Sequence, residues 1–499
     1  MLDQPAAVPT GPRAQDVARY DLVVVGAGIA GLNTLFAAKD YLPRGARVLL
    51  IDHKAQAGGM WNTAYDYVRL DQPHPMFTVG DLPWDWSRPK DYLASRDEVR
   101  DHLARALDPV AQAVSLDIRF GQTVTDCTEV ESPSGPCARV TFHPNDAPGQ
   151  VTSVEASRAF HAAGLNYQTA SALDLTSDRV LSIIPQDLLA TLAAHPQAPV
   201  IVVGGGKTGM DTVLEVLSAE PARPVSLISG RGTNFINRSF YMPKGLKRWT
   251  SGALISSMLR DMAVSFDGDN EAAVIDRFRQ RHATDPGADN RAFLWGMQSE
   301  DELARITSGL AATWADYLDD VSDTPDGPVM TLRSGARQPI APGSIVVNCT
   351  GSFFRTAQMV PKHPLLSPRD TVVRISPRDG FHFQSSVASF FVAHLVYRGA
   401  LRGKGYYTLD HEALFRADRT AWAGASAAHG YMNQLISLKT LPLSVLDHCG
   451  LDLDRWYPLP RRLAGFVRMK MNSRADIDRC RATLDRVAER FGVTCGPLA

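Results

Sequence analysis

Cysteine is scarce and scattered in this chain. The six cysteines are Cys127, Cys137, Cys349, Cys449, Cys480 and Cys495, and no two of them form a C-x-x-C pair. Zinc sites and redox dithiols are read from such pairs, so neither is signalled, and reduced thiols in a cytoplasmic protein are the expectation. No run of about eighteen apolar residues occurs, so no membrane span is expected. The opening MLDQPAAVPTGPRAQDVARY is polar and broken by proline. It lacks the apolar core of a secretory signal, and residues 1–20 read as a flexible leader. Neither sign of charge dominates: 52 Lys and Arg stand against 53 Asp and Glu, a net charge of −1. That balance gives no electrostatic reason to expect nucleic acid or an anionic membrane as partner. There is no low-complexity tract and no solenoid repeat. His74 and His394 have no metal-ligand partner at i+3 or i+4, and no Ser-His-Asp or Cys-His constellation stands out.

What is present is an ordinary globular composition, 44% hydrophobic and 21% charged, over 499 residues. That length exceeds what one core fills and implies two or three lobes. From Asp21 to Val25 a short apolar run ends in GAGIAG, a helical LNTLFAAKDYL follows, and RVLLID reads as a second strand. The same order returns in PVIVVGGGKTGMDTVLEVLSAEP and PVSLIS, so the chain contains two βαβ units. Residues from about 235 to 319 read as an α-helical insertion, VMTLRSG and SIVVNCTG as strands, and SSVASFFVAHLVYRGALRG and the tail after Leu451 as helices.

In GAGIAG, Gly26 permits the tight turn, Gly28 lets a pyrophosphate approach the backbone, and Gly31 lets the helix pack on the strand. Asp52 ends the next strand about twenty residues on, where a carboxylate accepts ribose hydroxyls. In GGGKTG, Gly204, Gly206 and Gly209 repeat the spacing, with Lys207 and Thr208 opening the helix. Here the following strand, VSLIS, ends without an acid and is followed by Arg231. An arginine there pairs with a 2′-phosphate, so NADPH is expected over NADH.

With both motifs placed, residues 20–400 resemble the class B flavoprotein monooxygenases, the group of flavin-containing and Baeyer–Villiger monooxygenases. Gly58, Gly59 and Trp61 in GGMW match the family's G-G-x-W, and YVRLD resembles the R-x-D that follows it in the Baeyer–Villiger branch. GDLPW is similar to a D-F-P segment, and AFHAAG and VVNCTG, ending in Gly164 and Gly351, are similar to the strand ends where the chain passes between lobes. The resemblance implies an α/β protein with two Rossmann-like dinucleotide-binding domains and an α-helical insertion. The FAD domain would comprise 21–195 and 345–499, and the NADPH domain 196–344, with the insertion at about 235–319. It implies FAD and NADPH as cofactors, with Arg69 and Asp71 beside the flavin. It further implies that dioxygen adds at the flavin C4a and that one oxygen atom passes to a small organic substrate. Arg69, Lys207, Arg238 and Arg355 are the candidate cations for neutralising the peroxide. A homo-oligomer is left open.

The family's F-x-G-x-x-x-H hallmark, due between Gly164 and Val200, is missing. That keeps two alternatives in view, an NADPH-dependent flavin reductase or oxidase without oxygen transfer, and a non-catalytic flavin-binding protein. WDWSRP resembles the W-x-W-x-I-P of flavin halogenases, but it has Arg88 in place of isoleucine, and its tryptophans are expected to pack a loop.

Overall fold

The computed structural model describes residues 17–162, 164, 170–351, 354, 362–376, 378 and 380–498. Two sheets organise the chain. In the first, Ser115–Arg119, Arg47–Ile51, Ala18–Val25, Thr152–His161 and Val372–Arg374 lie side by side and parallel. The antiparallel pair Gln122–Ser132 and Gly135–Pro144 extends from the first half of Thr152–His161. In the second, Leu310–Trp314, Val225–Ile228, Val200–Val203, Ile345–Asn348 and Leu181–Ile183 are all parallel. Parallel strands covered on both faces must be apolar throughout, which is why LVVV and VIVV carry no alternation and are buried.

Two of the second sheet's strands, Leu181–Ile183 and Ile345–Asn348, lie outside the span 196–344 expected from sequence. The 235–319 segment holds the helices Arg238–Tyr241, Lys247–Thr250, Ile255–Ser265, Glu271–His282 and Glu300–Gly309. It also contributes the strands Thr233–Asn237 and Ala292–Gln298, paired in parallel, and Leu310–Trp314 of the second sheet. Its helices Ile255–Ser265 and Glu271–His282 pack on Arg419–Thr440, which in turn packs on the long helix Leu459–Phe491. The fit is close: a Cβ on Gly424 would lie 2.7 Å from the Phe266 ring. One continuous core joins this helical layer to the first sheet through Ile29–Ala38 and Ser385–Tyr397, which pack together. Both glycine motifs stand at the carboxyl ends of parallel strands, where ligands bind in open α/β sheets.

Candidate functional site

The first motif is a tight unit made by glycine geometry. Gly26 has φ +105, which an L side chain rarely adopts, and its N–H donates to the Ile51 carbonyl at 2.7 Å. A Cβ on Gly31 would sit 1.8 Å from the Gly26 carbonyl oxygen, so only glycine lets the helix approach the strand. The helix Ile29–Ala38 starts from Gly28 with no side-chain cap, leaving its first N–H groups open. The GGMW turn closes against it. Gly58 N–H donates to the Ala27 carbonyl at 2.9 Å, and a Cβ on Gly59 would lie 2.7 Å from Gly28 Cα. Trp61 is buried behind this turn, edge-on to Phe77.

Asp52 is buried at the strand tip and accepts from Ala27 N–H at 2.5 Å and from Lys54 N–H at 2.7 Å. A carboxylate offers about four acceptor sites, so it retains capacity for hydroxyl donors. Lys54, which the sequence reading passed over, donates through Nζ to the Gly59 carbonyl at 2.9 Å and braces the turn. Burial lowers its pKa, with Asp52 opposing.

The second motif repeats the device. Gly204 has φ +123, and a Cβ on Gly209 would lie 1.9 Å from the Gly204 carbonyl oxygen. Gly206 is different, because a Cβ there would meet nothing within 4 Å. Helix Lys207–Ala219 begins from Gly206, again without a side-chain cap. Helices Arg96–Arg105 and Glu300–Gly309 instead begin with full capping boxes, Ser95 with Glu98 and Ser299 with Glu302. Uncapped starts also occur elsewhere, as at Ile255–Ser265 and Glu271–His282, but among the described α-helices a glycine at the N-cap marks only these two motifs. Beside the second loop lies a cavity of about 270 Å³ whose lining includes Gly205, Ser229, Asn234, Thr284, Gln298 and Thr313. The buried atoms Asn234 Oδ1 and Gln298 Nε2 have no hydrogen-bond partner.

Between the motifs lies an ion cluster. Lys207 Nζ is 3.2 Å from Asp71 Oδ1 and also pairs with Asp211, which accepts from Tyr65 OH at 2.7 Å. Asp71 Oδ2 accepts from Met297 N–H at 3.2 Å, and the Asp71 carbonyl accepts from Arg238 at 3.0 Å. Arg238 is buried and paired with Glu302. Burial opposes the Lys207 charge, yet Asp211 and Asp71 outweigh it and raise the ammonium pKa. Asp211 is pushed up by burial, against the pull of Lys207. The backbone that surrounds Asp71 is unusual: Trp295 has φ +64 in the middle of Ala292–Gln298 and stacks on Phe383 at 4.6 Å.

The other expected site residues are spread around these two loops. Arg69 does not join Asp71: Arg69 sits at an isolated bridge to Ser95 and its guanidinium donates to Leu93 O at 3.1 Å and Tyr92 OH at 3.3 Å, while the chain bends at Asp71. Arg231 is exposed beyond the second sheet and donates to Tyr317 OH at 3.3 Å. Thr208 lies in the first turn of its helix and accepts from Thr212 through its carbonyl at 2.7 Å. Gly351 follows the strand Ile345–Asn348, with its N–H on the Cys349 carbonyl at 3.0 Å. Arg355 lies outside the described residues. Trp84 and Trp86 stack on one another at 4.6 Å and enclose His74 edge-on, with His102 stacked on Trp84. His394 is a core residue held by Tyr41 OH at 2.8 Å.

Three histidines missed in the sequence, His382, His411 and His429, are buried together. His411 Nε2 and His429 Nδ1 are 3.1 Å apart, and His429 Nε2 is bonded to the Tyr407 carbonyl at 2.9 Å. Among the described residues no group of His, Cys, Asp and Glu could hold a metal ion, no disulfide forms, and no helix is long and apolar enough to cross a membrane.

Fold and site together define an α/β protein with two Rossmann-like dinucleotide-binding units. Residues 24–87 match the model of the NAD(P)-binding Rossmann-like domain. The FAD-binding monooxygenase VdtE of Byssochlamys spectabilis is 32% identical over 117 residues, covering 22% of this chain and 19% of that protein. The match thus spans about a fifth of that relative's length. Among solved structures, ornithine hydroxylase PvdA from Pseudomonas aeruginosa is 13% identical with a TM-score of 0.48, covering 76% of this chain and 99% of its own. A flavin-containing monooxygenase from Stenotrophomonas maltophilia is 17% identical with a TM-score of 0.45, covering 77% and 98%. Likeness this distant says nothing of the reaction.

Proposed function

We propose that the chain is an FAD-dependent, NADPH-consuming monooxygenase that places one oxygen atom of O2 on a small organic substrate and releases the other as water. The observation that carries this reading is the pair of uncapped, glycine-started helices at the ends of two parallel sheets, joined by the Asp71–Lys207–Asp211 cluster. Each start offers unpaired N–H groups and a positive helix end to a pyrophosphate. The first belongs to the flavin, with Asp52 taking the ribose hydroxyls and the GGMW turn covering the loop. The second belongs to NADPH, with open space over Gly206 and the unpartnered amide atoms of Asn234 and Gln298 supporting a ligand there. Arg231 meets the 2′-phosphate. When bound, the flavin accepts hydride and activates oxygen, chemistry no side chain here supplies. Asp71 holds Lys207 and the Met297 N–H, and so fixes the segment that joins the two sites and can manage a proton there. The flavin lobe ends before Leu181–Ile183 and resumes after Ile345–Asn348, with the nucleotide lobe between, and the protein works in the cytoplasm.

The test is anaerobic mixing of the purified flavoprotein with NADPH, then admission of isotopically heavy O2 with a panel of amines, sulfides and ketones. The flavin should bleach, and heavy oxygen should enter one product. Protein without flavin, or flavin that NADPH does not reduce, overturns the assignment. Reduction that yields only hydrogen peroxide with every substrate selects the reductase or oxidase reading.

A further inference from the structure

Helix Leu459–Phe491 carries an unpartnered face. Leu459, Leu463, Val467 and Met471 recur every four residues, which sets them on one stripe, and each is more than half exposed. Arg468, Lys470 and Arg474 are exposed among them. From Arg455 to Ala475 there are six Lys or Arg and no Asp or Glu. A second stretch, from Pro243 to Arg260, has four cations and likewise no acid, and it exposes Leu246 at 84% and Trp249 at 57%. Arg461 binds the two together, donating to Arg248 O at 3.1 Å, Ser251 O at 2.5 Å and Gly252 O at 2.9 Å. This sets Leu246 and Trp249 alongside the start of the long helix.

Carboxylates reach only part of this surface. Lys244 pairs with Asp91, Arg260 with Asp476, and Arg462 stands 3.9 and 3.8 Å from Asp447 and Asp452. Lys247, Arg248, Arg468, Lys470 and Arg474 have no carboxylate within ion-pair distance among the described residues. Beyond Arg474 the same face runs into a cavity of about 260 Å³ lined by Lys404, Lys439, Arg474 and Arg481, with Asp478 as its one acid.

We propose that this face docks on an anionic lipid surface, with the Leu246, Trp249, Leu459, Leu463, Val467 and Met471 side chains entering the headgroup boundary and the cavity beyond Arg474 taking a headgroup phosphate. Scattered exposed apolar residues need no explanation, but a contiguous stripe with a tryptophan and flanking cations has the composition of an interfacial helix. Charge decides the occupant. A second copy docking by two-fold symmetry would set these cations against themselves, whereas phospholipid headgroups complement them. The chain's net charge of −1 hides this surface, because the balancing acids lie elsewhere.

The test is co-sedimentation of the full-length protein with vesicles of phosphatidylcholine alone and with about 30% phosphatidylserine, at about 0.1 and 0.5 M salt. Binding is expected to the anionic vesicles only, with release at the higher salt. Arg468→Ala with Lys470→Ala should weaken binding about 30-fold. Leu463→Glu with Met471→Glu should abolish it while leaving circular dichroism, thermal unfolding and flavin content unchanged, since both side chains are exposed. No binding to anionic vesicles, equal binding to neutral ones, or undiminished binding of the double glutamate variant overturns the proposal. So does a dimer in sedimentation equilibrium that this variant dissociates and that ignores vesicles, which would give the face to a second copy.

Discussion

Gly206→Ala separates ligand binding from folding at the second nucleotide loop. The residue has φ −84 and ψ −177, open to any amino acid, and a Cβ would meet nothing within 4 Å. Replacing glycine by alanine at a helix N-cap costs about 0.5–1 kcal/mol, and the stiffer unfolded chain returns about 0.4–1 kcal/mol. Stability should therefore stay within about 1 kcal/mol, and the unfolding midpoint should move by no more than about 3 °C. The nucleotide, by contrast, must meet the added methyl group where its pyrophosphate crosses the loop. Overfilling a close contact costs about 1–3 kcal/mol, which raises the NADPH dissociation constant about 5- to 150-fold. The assay is anaerobic stopped-flow reduction of the bound flavin across a range of NADPH concentrations, alongside thermal unfolding. Gly209→Ala is the contrasting control: its Cβ would lie 1.9 Å from a backbone oxygen, so it should damage the fold itself. An unchanged dissociation constant in Gly206→Ala would refute the placement of the pyrophosphate, and a large loss of stability would refute the open space.

Four further outcomes are expected. Gly28→Leu should give colourless protein, since its Cβ already lies 3.3 Å from Gly59 Cα and the larger side chain fills the flavin loop; a full complement of FAD in the folded variant would remove the flavin from this loop. Arg231→Ala should erode the preference for NADPH over NADH in the flavin-reduction rate at limiting nucleotide, and an unchanged ratio would assign the 2′-phosphate elsewhere. Asp71→Ala should keep FAD, still be reduced by NADPH, lose about 1 kcal/mol of stability with the Lys207 pair, and release hydrogen peroxide in place of product; unchanged peroxide and product yields would take Asp71 out of the mechanism. Acid should destabilise the helical layer. Burial lowers His382 to about 3, His429 to about 4 and His411 well below its usual value, so the unfolded chain binds protons that the folded one refuses. This contribution is fully present above pH 6.5, where the unfolded histidines are also neutral, and falls as pH drops from about 6.5 towards 4. A denaturant midpoint that stays flat across that range would contradict it.

The parts legible in the sequence are those whose contacts are local. Gly26 with Gly31 and Gly204 with Gly209 meet within one turn, so spacing alone states their geometry. LVVV and VIVV declare buried parallel strands by lacking alternation. The Lys207–Asp211 pair was also readable, four residues apart on one helix. Asp71 could be singled out by its resemblance to R-x-D, but not its partners, because Lys207 and Met297 reach it only when distant segments dock. Arg69 and Asp71 stand two residues apart yet take different partners, because the chain bends at Asp71 after the Arg69–Ser95 bridge, and such a bend is not written in the spacing. The strand AFLWGMQ hides its character behind the left-handed Trp295, which breaks the period of two. The buried histidines carry no signal, since residues 382, 411 and 429 share no spacing.

Lys207 shows how the structure changes the meaning of a motif residue. In sequence it is a cation at the mouth of a phosphate loop and a natural partner for NADPH. In the fold its charge is already shared between Asp71 and Asp211, and Tyr65 completes the hydrogen bonding of Asp211. A phosphate arriving at this loop must compete with two carboxylates for the ammonium, whereas the helix N–H groups and Arg231 stand uncommitted to any acid. Under the proposed function the attraction for the nucleotide therefore comes mainly from the backbone and from Arg231. Lys207 instead joins the loop to the segment from Tyr65 to Asp71, so any displacement of the loop on nucleotide binding is transmitted to Asp71 and, through the Met297 N–H, to the strand that carries the left-handed Trp295.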